Sequence, residues 1–286
     1  MPLTKTQSEI WQAMNIGPQW IERTEDDASA QIAQDASDGK TILPKNSSLA
    51  SVGSVSINPA ATGPRRGAVL LNACSEGATP QDKNLADNSE LQACAEKASW
   101  EELSELVSRC RACPMATTRK HCVFADGKPG CPIAIVGEAP GRDEDIEGIP
   151  FVGKSGQLLT RILESLEWKR GVDVAIVNVL KCRPPDNRDP RPEEMRACAA
   201  FLDRQLELID PKVIILMGRF AIDRLLATDA PVGRLRGTPR HVSVAGHDVP
   251  AVVTYHPSYL LRNPVEKEKS WQDFVLAKRL LSGEVP

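Results

Sequence analysis

Four short apolar runs, each closed by turn residues and separated by helical patterns, constrain this chain most. They are Ile133 to Val136, Val174 to Val179, Val213 to Met217 and Ala251 to Tyr255. Runs this short and this continuously apolar read as strands buried on both faces. Between them, Ser155 to Leu166, Pro192 to Ile209 (Pro at the first turn) and Arg219 to Leu226 keep helical spacing, and Val265 to Leu281 supplies a last helix. This alternation predicts an α/β fold: three αβα layers around a central four-stranded parallel sheet, with ligands gathering where strands end.

Upstream the pattern stops. Between Trp20 and Trp100 there is no Phe, Trp or Tyr, and Asp26 to Glu90 is dominated by Ala, Ser, Gly, Asn, Asp, Gln and Pro. Such a segment cannot bury enough apolar surface to offset its ordering entropy. We therefore expect residues 1–95 to be a mostly disordered extension and 96–286 to be the folded domain. Within the extension, Ile10, Trp11, Met14, Ile16, Trp20 and Ile21 fit a short amphipathic element over 7–21, either a peptide that binds a protein partner or a loosely anchored end. At the junction, Ser99-Trp100-Glu101-Glu102 reads as a capping box. The spacing of Trp100, Leu103, Leu106, Val107 and Cys110 predicts a helix that delivers Cys110 and Cys113.

Charge and cysteine content narrow the class further. The chain carries a formal charge of -3, and residues 95–286 hold 28 Lys+Arg against 27 Asp+Glu, so there is no overall basic footprint. No stretch approaches the ~18 to 20 apolar residues a membrane helix needs, and the N-terminus lacks an apolar signal core. A cytoplasmic protein is expected, so the eight cysteines point to metal ligands or buried thiols before disulfides.

The strand ends carry the chemistry. The first strand runs into Gly137-Glu138-Ala139-Pro140-Gly141 and then, past the acidic stretch Asp143-Glu144-Asp145, into Gly148-Ile149-Pro150-Phe151-Val152-Gly153. The second ends in Asn178-Val179-Leu180-Lys181-Cys182-Arg183-Pro184-Pro185-Asp186-Asn187-Arg188, the fourth in His256-Pro257-Ser258-Tyr259-Leu260-Leu261-Arg262. One polar residue thus stands at each of three strand ends: Glu138, Asn178 and His256. Cys110-x2-Cys113 and Cys182-x15-Cys198 add two thiol pairs whose spacing permits zinc or an iron–sulfur cluster. The remaining cysteines, Cys74, Cys94, Cys122 and Cys131, are expected to be free thiols.

Taken together, GEAPG with its acidic follow-on and G-x-P-F-V-G, NVLKCRPP-x-NR, and HPSYLLR resemble the signature set of the family 4 uracil-DNA glycosylases, from about Trp100 to Leu281. Ser155 and Asp186 depart from the usual Ala and Gly, and the N-terminal extension lies outside the match. The resemblance implies a monofunctional base-excision enzyme that flips uracil out of DNA and hydrolyses its N-glycosidic bond. It also implies a 4Fe-4S cluster on Cys110, Cys113, Cys182 and Cys198, and a monomer associated with the nucleoid. It assigns uracil recognition to Asn178, whose carboxamide matches uracil N3–H and O4 but not cytosine. Phe151 becomes a stacking face and His256 a donor to O2. Glu144 becomes the wall against the thymine methyl, and Gly137, Ala139 and Gly141 line the first motif. Ala139 stands where better-known uracil glycosylases carry a water-orienting Asp. Asn187 is the candidate substitute, with Glu138 shaping the loop. DNA contact falls to Ser258 on a phosphate, Leu260 as a wedge (or as routine helix packing) and Arg262, with Lys181, Arg183 and Arg188 supplying local positive charge.

Three other readings compete. Gly148 to Ser155 satisfies the phosphate-loop pattern G-x4-G-K-S, but eleven residues separate it from the end of its strand and no later strand ends in a magnesium-binding Asp. A non-enzymatic iron–sulfur protein that binds DNA or a polymerase would share the fold. Lyase chemistry through Lys154 or Lys181 would need a desolvated amine, of which the sequence gives no sign.

Overall fold

The computed structural model describes residues 88–284. All of the expected extension up to residue 87, with its amphipathic element at 7–21, therefore lies outside the described residues.

A five-stranded sheet forms the centre: β1 (Ile133–Gly137), β2 (Val174–Asn178), β3 (Val213–Met217), β4 (Arg240–Val244) and β5 (His247–Thr254), in the order β2-β1-β3-β5-β4. The first three and β5 run parallel, and β4 pairs antiparallel with β5 at the edge. The fold class follows the expectation, but the sheet has one strand more than the four expected. That strand is legible in hindsight. Arg240-His241-Val242-Ser243-Val244 alternates exposed and buried positions and turns back through Ala245 and Gly246, both at positive φ. An edge strand with one wet face lacks the continuous apolar run that marks the four parallel strands, of which β2, at the opposite edge, is still buried on both faces.

Each interior strand is buried on both faces, and alternation sorts its side chains between two cores. Ile133, Ile135, Ile215 and Val252 pack with α4 (Lys154–Ser165), α8 (Pro257–Arg262) and α9 (Lys267–Ser282). Ala134, Val136, Leu216 and Val253 pack with α5 (Pro192–Ile209) and α6 (Arg219–Leu226). Fully burying each of the Val, Leu and Ile side chains contributes about 1.5–3 kcal/mol.

A third core joins α1 (Asn88–Lys97) and α2 (Trp100–Arg109) to α5 through Ala95, Leu103, Val107 and Phe201. Ser99 caps α2 as expected: its hydroxyl accepts from Glu102 N and its own N–H donates to the Glu102 carboxylate. Helix α1 crosses the boundary expected at 95/96, so ordered structure begins earlier than composition suggested. Two short helices, α3 (Arg142–Glu147) and α8, sit inside segments that read as motif loops, and α7 (Val232–Leu235) precedes β4. Among the described residues, no helix is long and apolar enough to cross a membrane.

Candidate active site

The site lies at the C-terminal ends of β1, β2 and β5. There β1 has a partner on each side, and successive connections leave it in opposite directions. The β1–β2 ladder continues past both strands: Val179 N donates to Gly137 O and Leu180 N to Glu138 O, each at 3.0 Å. The first two motifs are thereby held as an extension of the sheet.

A cavity of about 600 Å³ opens over these ends, lined by Glu138, Ala139, Gly141, Glu144, Phe151, Asn178, Asn187, His256, Ser258 and Arg262 among others. Of the residues expected at the site, Gly137 and Leu260 are not part of the lining. Gly137 stands directly behind it: a side chain there would begin 2.4 Å from Asn178 Oδ1 and 2.8 Å from the Phe151 ring. Only glycine lets these two groups meet.

Asn178 is 2% exposed, and its Oδ1 is buried with no hydrogen-bond partner. An unmatched buried carbonyl costs about 1–3 kcal/mol, so this oxygen is a strong acceptor for a donor brought to it. The Phe151 and His256 rings lie 5.5 Å apart at 38°. Phe151 holds its ring there at φ 54, a left-handed conformation unusual for an aromatic residue.

His256 caps α8. Ser258 N, which can only donate, points at Nδ1 from 3.2 Å. Nδ1 is therefore an acceptor, and the neutral ring carries its proton on Nε2. Burial, reinforced by the nearby Arg262 charge, pushes this imidazole down to about 4, so it is neutral at physiological pH. Ser258 Oγ sits 2.8 Å from the same Nδ1. The hydroxyl expected on a phosphate is thus directed at the His256 ring.

The carboxylates separate by role. Glu144 Oε2 accepts from Gly141 N at 3.0 Å, and Oε1 accepts from Val152 N and Gly153 N at 3.1 Å. It is a rigid wall that ties the first motif to the start of α4. Asp145 is buried and accepts from Lys120 N at 2.8 Å. Glu138 is half-buried; desolvation, then the neighbouring Asp189 charge, raises its carboxyl to about 7. Asn187 is exposed at φ 53, with its Oδ1 accepting from Arg183 Nε at 2.7 Å.

Two expectations are corrected here. Leu260, read as a wedge or as routine helix packing, takes the packing role: it is 0% exposed within the core beneath α8, because the helical turn aims it at the sheet and presents Leu261 instead, at 43%. Lys181, expected among the groups offering positive charge to DNA and read as showing no sign of desolvation, is 1% exposed and pushed down to about 8 by burial. Its Nζ donates to Asn178 O at 2.5 Å, and it is not among the residues that line the cavity.

Cys110, Cys182 and Cys198 are buried in the third core, with Cys113 packed against them. The α2 terminus delivers Cys110 as its C-cap, as expected. Arg119 reaches in, with NH1 3.2 Å from Cys182 Sγ and NH2 2.7 Å from Cys110 O. Burial raises the Cys198 thiol to about 12. Cys122, a free thiol as expected, lies beside this group, with its Sγ 4.0 Å from that of Cys182 and its thiol donating to Val107 O at 3.0 Å. Cys131 is a free thiol as expected, whereas Cys94 is disulfide-bonded, against the expectation of a free one.

Residues 124–277 match the family model of the uracil DNA glycosylase superfamily. The type-4 uracil-DNA glycosylase of Archaeoglobus fulgidus is 43% identical over 192 residues, which is 66% of this chain and 96% of the relative. That of Thermotoga maritima is 44% identical over 164 residues, 57% of this chain and 83% of the relative. A type-5 uracil-DNA glycosylase of Thermus thermophilus is more distant, at 33% over 148 residues, 47% of this chain and 66% of the relative. With an unclaimed carboxamide, an aromatic face and a neutral imidazole meeting over the sheet, and type-4 relatives aligned over most of their own length, this chain belongs to the uracil-DNA glycosylase superfamily, in its type-4 family.

Proposed function

We propose that this protein excises uracil from DNA by hydrolysing the N-glycosidic bond of an extruded deoxyuridine, leaving an abasic site. The observation that carries this reading is the buried, unpartnered Oδ1 of Asn178 at the wall of a cavity that also holds Phe151 and His256. In this mechanism, Asn178 Oδ1 accepts uracil N3–H while its amide donates to O4, and cytosine presents the opposite pattern. Phe151 stacks on the base, and Glu144, locked by three backbone N–H groups, closes the side toward C5.

Bond cleavage leaves negative charge on the base and positive charge on the sugar. The neutral His256 donates from Nε2 to O2 as that charge develops, at no cost of deprotonation. Water then attacks the sugar carbon. Ala139 supplies no carboxylate, and the Asn187 carbonyl is engaged by Arg183, so we assign water orientation to ionised Glu138, with the Asn187 amide beside it. Exposed Leu261 takes the place of Leu260 in the expected set of DNA contacts, beside Arg262, which is exposed and lines the cavity, and Lys181 leaves the set.

The thiols of Cys110, Cys113, Cys182 and Cys198 suit the 4Fe-4S cluster of the type-4 reading. Among the described residues, no group of three or more His, Cys, Asp or Glu forms a site for a single metal ion. A cluster asks for something different, each thiolate bound to its own iron. When bound, it supplies a cross-link between the end of α2, the segment after β2 and α5. Arg119 is placed to donate to the Cys182 sulfur.

A labelled single strand carrying one uracil, incubated with the protein and then treated with alkali, tests the activity. A nick at the uracil is expected. Retained DNA binding with no nick would establish a binding module instead.

A further inference from the structure

The reading of Phe151 as the stacking face leaves open what holds a phenylalanine at φ 54 in an otherwise ordinary loop. Left-handed backbone at such a residue costs of order 1–3 kcal/mol and persists only where the surroundings over-determine it. Here they do so from two sides. Gly156 in α4 lies against the loop so closely that a side chain on it would begin 1.8 Å from Phe151 O. From the other side comes Arg170, on the segment leading into β2. Its NH1 donates to Phe151 O at 2.9 Å and to Thr160 Oγ1 at 2.8 Å, and its NH2 donates to Pro150 O at 2.8 Å.

The guanidinium is itself fixed. Its Nε donates to Asp126 Oδ2 at 2.8 Å, and NH2 lies 2.7 Å from the same oxygen. Asp126 is bridged to β2 through both backbone groups, N to Ile176 O at 2.9 Å and O from Ile176 N at 2.7 Å. Both side chains are mostly buried, at 19% and 24% exposure. The edge of the sheet therefore reaches the aromatic platform through one ion pair and a planar fork. An ammonium cannot reproduce this geometry, because it lacks the fixed set of parallel donors.

From this geometry we infer that Arg170, anchored by Asp126, is a positioning residue for uracil excision: it locks the Pro150–Phe151 carbonyls so that the Phe151 ring faces the extruded base. The inference rests on the stacking role proposed for Phe151 and deepens it, since it makes the platform depend on residues that touch neither base nor sugar.

A double-mutant cycle tests it. Single-turnover uracil release from a uracil-containing single strand is measured for wild type, Arg170→Gln, Phe151→Ala and the double variant. Melting temperature and affinity for a uracil-free strand are measured in parallel. Arg170→Gln is expected to slow release roughly 10- to 100-fold, as small misplacements of a catalytic constellation do, with uracil-free affinity unchanged. In the Phe151→Ala background the same change is expected to add less than about twofold, because its effect runs through the ring. Asp126→Asn, which keeps the side-chain shape, serves if Arg170→Gln does not fold, and the same loss and the same non-additivity are expected of it. A wild-type rate for the folded single variants, or a double variant slowed by the full product of the two effects, overturns the clamp alone. A wild-type rate for Phe151→Ala overturns the stacking role and the clamp together.

Discussion

The carboxamide of Asn178 is buried with its Oδ1 unpaired, and the contribution of that group can be measured. Truncating Asn178 or His256 to Ala should each lower single-turnover uracil release about 10²- to 10³-fold, the usual loss for one donor at a developing anion, with strand affinity much less affected. Rates within a few-fold of wild type would remove both residues from the mechanism. Gly137→Ala is a sharper test. It leaves the β1 backbone intact but places a methyl against Asn178 Oδ1 and the Phe151 ring, so a folded protein without activity is expected. The pH profile separates the two titrating groups. Glu138, raised to about 7, is neutral below that pH and ionised above it, so the rate should climb through about 7 and then level off. His256, depressed to about 4, is already neutral there and adds no inflection between about pH 5 and 9. In Glu138→Gln the climb should vanish; a climb that survives would place the titrating group elsewhere. Residue identities at these positions were legible in the sequence because each stands at a strand end within a dense motif. Their partners were not, since Ser258 against His256 or Glu144 against Val152 and Gly153 are hydrogen bonds that only folded loops create.

Helix α8 illustrates how an element reassigns side chains that a motif leaves adjacent. Leu260 and Leu261 look interchangeable as letters, yet a rotation of ~100° between neighbours in a helix sends one into the core and the other to solvent. Leu260→Ala should therefore act on stability, by about 2–5 kcal/mol as for other buried leucines, read from denaturant unfolding. Leu261→Ala should leave stability nearly unchanged and slow release from duplex DNA more than from single strands, where no gap needs filling. The reverse pattern would restore the original assignment. The segment after β2 shows the same logic. Arg188, on the cavity wall, makes a two-pronged pair with Glu194, whose side chain is 2% exposed in the first turn of α5. That brace sets the loop between Cys182 and Cys198 against the cavity. Long helices and strands were predicted within a residue or two because their periodicity is strong, except β5, which starts four residues before the expected Ala251, at His247. The short helices α3 and α8 and the edge strand β4 escaped, since four to six residues carry too little periodicity to stand apart from a loop.

Across the whole molecule, the thiol group and the cavity flank one segment, residues 178–198, anchored at its start by the sheet and at its end by α5. Removing the iron of the proposed cluster with a chelator should therefore loosen the third core first: hydrogen exchange should rise in α2 and around Cys182 while β1, β2 and β3 stay protected. Uniform loss of protection would mean that the cluster site and the sheet fold as one unit. The sequence by itself determined the α/β class, the parallel interior strands and the helices between them, because burial on two faces requires unbroken apolar runs that nothing else in the chain imitates. It also determined which residue types could read uracil. Tertiary structure alone decided which of them point into the cavity, that Lys181 is buried, that Cys122 joins the thiols, and that Arg170 reaches from beyond α4 to hold Phe151. These depend on contacts between residues far apart in the chain, and no local pattern of sizes or charges encodes a direction in space.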